Sequence, residues 1–248
     1  MPHRNWRQQI KKAGRAVGLL LLPLLAGGMV AGGIWLFWGT DGRFSVWGVY
    51  SGILVLSFAY CKYHDYSNNC GLEVTASIKF WLMAFVLVLG RSAIWISILP
   101  VSFHWNLSTF WEKIFYFLFV GLSEELYFHG FSYEVVLSAT NKRKALLLTP
   151  LIFAILHFVS HPNLLWLPLW YSISLAYLSL RVGSHSLYPG VVAHAVIDII
   201  TSVLLQAPSE VPDMIAVWYL IVTICFNGIF VLVLTKYLPM RKGFETGN

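Results

Sequence analysis

The sequence predicts an all-α, polytopic membrane helix bundle of about eight transmembrane helices, and three observations predict it. The chain is 58% hydrophobic and only 11% charged, whereas a soluble domain carries about 25% charged residues. Its apolar residues gather into runs close to the 20 or so residues that a spanning helix needs. Its basic residues cluster at the ends of those runs, where they orient a bundle. Eleven Trp, within a 16% aromatic share, suit belts at the membrane–water interfaces. A net charge of +6 placed at helix ends is a topology signal, and no nucleic-acid partner is expected. No internal repeat or soluble segment is visible, so residues 1–248 read as a single integral membrane domain.

Eight runs are read as spans: 17–38, 45–61, 78–99, 110–137, 145–160, 163–180, 187–206 and 214–236. The first follows Arg4, Arg7, Lys11, Lys12 and Arg15, and its apolar run is too long for a cleaved signal peptide. Lys62 and Lys79 flank the loop between the second and third. The fourth is long enough to protrude into the cytoplasm, and Lys142-Arg143-Lys144 follow it. The fifth and sixth are short and separated by Ser160-His161-Pro162-Asn163, a turn because Pro cannot continue a helix. Arg181 follows the sixth, and Lys236, Arg241 and Lys242 close the chain. With an even number of spans all of these basic residues fall on one side, leaving only Arg43, Lys113 and the intramembrane Arg91. The positive-inside rule then makes both termini cytoplasmic. Cys61 and Cys70 fall on that same side, and with Cys225 they show no metal or disulfide spacing, so free thiols are expected.

Ionisable side chains at bilayer depth are costly and mark function. The fourth run carries Gly121-Leu-Ser-Glu124-Glu125-Leu-Tyr-Phe-His129-Gly130. Adjacent helical residues point about 100° apart, so the two glutamates take different roles. Glu125 and His129, at i,i+4, are placed to pair, which leaves Glu124 for chemistry. The fifth run places Phe153 and His157 on one face, and the seventh places Asp198 one turn from His194. An acid one turn from an imidazole fixes its tautomer and orientation. At 1.5 Å per residue, Glu124, His157 and His194 all reach the cytoplasmic half of the bilayer. Base, water and oxyanion donor are the parts of an amide hydrolase. Two imidazoles and a carboxylate are also a zinc donor set, although no H-E-x-x-H occurs.

These motifs resemble the CPBP family, the type II CaaX prenyl endopeptidases and their prokaryotic relatives. The family pattern is E-E-x-x-x-R, then F-x-x-x-H, then H-x-x-x-N or D. Here it reads Glu124-Glu125-x-x-x-His129, Phe153-x-x-x-His157 and His194-x-x-x-Asp198. Order, spacing and placement on the fourth, fifth and seventh of eight helices match, over a catalytic core of about 110–206. The resemblance implies a glutamate-dependent intramembrane endopeptidase that requires no cofactor. Glu124 would activate water with His157, while His194 and the residue at 198 would stabilise the oxyanion. Phe153 and His129 would support them. Its substrate would be a lipid-anchored or membrane-tethered polypeptide cut near its C-terminal end.

There are two departures. His129 replaces an Arg that would stay charged at any working pH. Asp198 replaces the commoner Asn, and a carboxylate donates nothing unless protonated, so Asp198 is assigned to orienting His194. A catalytically inactive member, acting as a membrane peptide-binding, bacteriocin-immunity or scaffold protein, is the alternative. A proton-coupled transporter is a third class, but no inverted repeat or paired broken helix supports it. Compact loops and the lack of an organelle signal point to a prokaryotic inner membrane. Arg91 is expected to pair with a site carboxylate or line an entrance. His104, His161 and His185 are expected in loops or at interfaces, and Tyr127 in packing.

Overall fold

The computed structural model describes residues 6–38, 42–63, 70–73, 75–103, 107–208 and 211–237. Arg4, His104, Arg241 and Lys242 lie outside them. The fold is all-α. In chain order the α-helices are α1 (Trp6–Trp38), α2 (Gly42–Tyr63), α3 (Ile78–Ile98), α4 (Leu107–Glu124), α5 (Tyr133–Ala139), α6 (Lys142–Ser160), α7 (Leu167–Ser184), α8 (Tyr188–Ile199) and α9 (Asp213–Tyr237). Four stretches among the described residues are long and apolar enough to cross a membrane: Gln8–Leu36, Ile78–Ile98, Lys142–Ser160 and Asp213–Lys236. Large apolar side chains face outward along them, among them Leu22, Leu25 and Met29 on α1 and Met214, Trp218 and Leu232 on α9. The buried set includes Glu125, His129, Ser174 and Asn227. Apolar outside and polar inside is the arrangement of an integral membrane protein, in which intramembrane ionisable groups face the bundle interior.

Close helix approach depends on glycine. A methyl group on Gly52 would stand 2.6 Å from the Gly27 Cα, so α1 and α2 meet backbone to backbone, as small residues allow in membranes. One cluster, which includes Phe128, Phe131, Phe153 and Leu187, joins the segment after α4 to α2, α6 and α8. A second, which includes Leu87, Tyr177, Ala193 and Phe230, joins α3, α7, α8 and α9.

The structure departs from the sequence expectation in four places. The run read as one helix over 110–137 is α-helical only to Glu124; Glu125–Ser132 is π-helical, and α5 follows directly. A second π-helical stretch, Ile200–Leu204, ends the seventh run, and Leu205–Gln206 then pairs with Ser102–Phe103 as a two-stranded antiparallel ribbon.

Cys61 and Cys70 are not free thiols: they form a disulfide and both are fully buried. Gly71, at φ 79°, adopts the left-handed conformation that glycine tolerates. The chain from Cys70 there lies against α8, the Gly71 carbonyl accepting the Leu187 N–H at 2.8 Å. The lack of a disulfide spacing and placement on the cytoplasmic side argue for free thiols, but neither says whether packing brings two sulfurs together. Arg181 was read as a topology residue, yet it is buried. It donates to Glu134 at 2.8 Å and lies 5.2 Å from the centroid of the Tyr133 ring, so it ties α7 to α5.

Iodoacetamide treatment of the unfolded, unreduced protein should label one cysteine, Cys225, and three after reduction; intact mass decides it, and three labels without reductant would remove the disulfide.

Candidate active site

Glu125 opens the π-helical segment and is fully buried. Oε2 lies 2.8 Å from His129 Nδ1, and Oε1 lies 3.0 Å from His194 Nδ1. A carboxylate only accepts, so both Nδ1 atoms carry hydrogen. His129 Nε2 meets Ser174 Oγ on α7 at 2.8 Å. Its ring is thus fully bonded, in the place where the family pattern has Arg. α8 comes close enough because residue 190 is glycine: a Cβ there would stand 2.8 Å from Glu125 Oε2. π-Helical turns are rare and frequent at functional sites, and this one carries the pair Glu125–His129.

Glu124 ends the α-helical part and turns its carboxylate into a different space. Oε1 accepts from the Tyr50 hydroxyl on α2 at 2.7 Å. Oε2 stands 3.9 Å from His157 Nε2 and 3.7 Å from His194 Nε2. Both separations exceed a hydrogen bond, and both suit one oxygen lying about 2.8 Å from each group. The His157 Nδ1–H donates to the Phe153 carbonyl at 3.0 Å. Its Nε2 therefore carries a lone pair and is free as a base in the neutral ring. The imidazole lies on the Phe153 ring, with centroids 4.0 Å apart at 23°.

His194 is the pivot between the two carboxylates. Nδ1 is held by Glu125 and Nε2 points toward Glu124 and Asp198, whose Oδ2 is 3.5 Å away. The orientation assigned to Asp198 thus falls chiefly to Glu125. The ring lies parallel to Tyr177, with centroids 5.0 Å apart at 8°. The Tyr177 hydroxyl accepts from Arg91 Nη1 at 3.0 Å, so Arg91 reaches the site through a tyrosine.

All seven residues singled out by spacing, Glu124, Glu125, His129, Phe153, His157, His194 and Asp198, come together. Tyr127 does not: its hydroxyl bonds the Leu20 carbonyl on α1 at 2.8 Å. His161, in the turn after α6, lies beside Trp170. Three contributors escaped the sequence reading. Tyr50, Ser174 and Tyr177 sit in apolar runs with no spacing signal, and only the packing of α2 and α7 reveals them. Among the described residues no group of three or more His, Cys, Asp or Glu has the spacing of a metal site.

His129→Ala would leave Glu125 short of one partner, and breaking a buried pair costs about 3–5 kcal/mol; thermal unfolding in detergent should show the loss. Gly190→Ala, by pressing a methyl against Glu125, should cost about 1–3 kcal/mol. Gly228→Ala, with nothing within 4 Å of the new methyl, should unfold like the wild type.

Residues 105–200 match the family model described as type II CAAX prenyl endopeptidase Rce1-like. No curated protein and no solved structure matches the chain. The matched segment runs from the start of α4 through α8 and contains each of the three motifs, so over this stretch the chain is similar to the CAAX protease family.

Proposed function

We propose that this chain is a glutamate-dependent intramembrane endopeptidase. One observation carries the reading: Glu124 Oε2 faces the Nε2 atoms of two imidazoles on two other helices, at 3.9 and 3.7 Å. Such a triangle suits a single water. Glu124, with His157, takes the water proton as the water oxygen bonds to the scissile carbonyl carbon. The carbonyl oxygen becomes an oxyanion, and His194 Nε2–H stabilises it. Because Nδ1 already donates to Glu125, that donor requires the doubly protonated ring, with Glu125 and Asp198 as countercharges. When the tetrahedral intermediate collapses, the C–N bond breaks and the departing amine takes its proton from Glu124. The residues present suffice for every one of these steps, and we assign no cofactor.

Eight spans with both termini cytoplasmic complete the proposal, in the inner membrane of a prokaryote. In that proposed topology the site lies in the cytoplasmic half of the bilayer. The substrate is then a lipid-anchored or membrane-tethered polypeptide, cut near its C-terminal end at the bilayer surface.

The test is proteolysis in reconstituted membranes, with prenylated and C-terminally anchored peptides, with and without chelator. Wild type should cleave at least one class. Glu124→Gln should lose about 10²–10⁴-fold in kcat, the usual worth of a general base. Chelator should change nothing; chelator loss restored by zinc would replace the water-activating carboxylate with a metal. A wild type that binds such peptides without cutting them would favour the inactive, peptide-binding reading.

A further inference from the structure

We infer that Tyr50, on α2, is a positioning residue that fixes the orientation of the Glu124 carboxylate toward the water it activates. It lies outside the matched core of 105–200, so the active site is completed from the N-terminal half of the chain. This rests on the reading of Glu124 as the base.

The geometry is specific. The Tyr50 hydroxyl lies 2.7 Å from Glu124 Oε1. A carboxylate only accepts, so Tyr50 donates, at the length of a charge-assisted O–H···O bond. The imidazoles stand 3.7 and 3.9 Å from the other oxygen, too far to hold it directly. The terminal torsion of a glutamate is broad, so nothing within the side chain fixes the plane of the carboxylate relative to His157 and His194. Tyr50 removes that freedom: by anchoring one oxygen it sets the carboxylate plane and directs the other toward the imidazoles.

The tyrosine is itself aimed. One turn earlier on α2, Trp47 stacks on Phe119 with centroids 5.0 Å apart and meets Tyr116 edge-on at 5.4 Å. Both partners lie on α4, one and two turns before Glu124, so they set the register of α2 against the helix that carries the base. Tyr50 is half-buried and touches the site through its hydroxyl, which makes Tyr50→Phe a change of one oxygen atom.

The experiment compares wild type, Tyr50→Phe and Glu124→Gln as full-length chains in vesicles, on one tethered peptide that the wild type cleaves. Tyr50→Phe should lower kcat about 10- to 100-fold, the scale of a small misplacement of a reacting group. Its KM should stay within about twofold, the mark of an interaction made for the transition state, and its unfolding temperature should match the wild type. Wild-type kcat in Tyr50→Phe overturns the inference. So does a fall in kcat that comes with a raised KM or a lowered unfolding temperature, since packing would then explain it. Wild-type turnover in Glu124→Gln overturns instead the reading of the base on which the inference rests.

Discussion

A carboxylate taken out of water inside a lipid-facing bundle costs several kcal/mol unless it is matched partner for partner. Glu125 meets that constraint with both oxygens. One is bonded to His129, four residues on, and the other to His194 on a different helix. Much of the bundle's interior follows from this arrangement. The π-helical segment begins at Glu125, α8 packs close through Gly190, and α7 contributes Ser174 to complete His129. The charge centre therefore acts as a lock among the segment after α4, α7 and α8.

The two neighbouring glutamates lie in different environments. Glu125 is sealed on every side, so its oxygens are spent on structure. Glu124 keeps one oxygen for Tyr50 and turns the other toward His157 and His194. His194 belongs to both: its Nδ1 is part of the lock and its Nε2 faces Glu124 and Asp198. One ring thus joins the lock to the Glu124 side, itself stacked on Tyr177 and, beyond it, Arg91.

The first half of the chain is tied to this core at several points. The disulfide holds the end of α2 to the short segment after it, and Gly71 bonds the residue just before α8. The Cys70 carbonyl lies where a methyl group on Gly130 would stand, 2.9 Å away, so the same segment also covers the π-helical stretch. Arg181 and Glu134 join α7 to α5 beneath it. These ties accompany the contact of α2 with Glu124 through Tyr50, although the family match begins only at α4.

Composition and the length of the apolar runs by themselves determined the all-α architecture and the helical runs; helical periodicity determined the i,i+4 pairs Glu125–His129 and His194–Asp198, because neighbours on one helix are set by about 3.6 residues per turn. It also separated the roles of Glu124 and Glu125, since consecutive side chains cannot face the same way. What joins one helix to another depends on rotation, depth and crossing, and no local pattern encodes those. The bond from Glu125 to His194, the hydroxyls of Tyr50 and Ser174, the route from Arg91 through Tyr177, and the Cys61–Cys70 bond were decided only by tertiary packing. The π-helical turn belongs with them: its sequence reads as ordinary helix, and it is buried against α2, α6, α7 and α8.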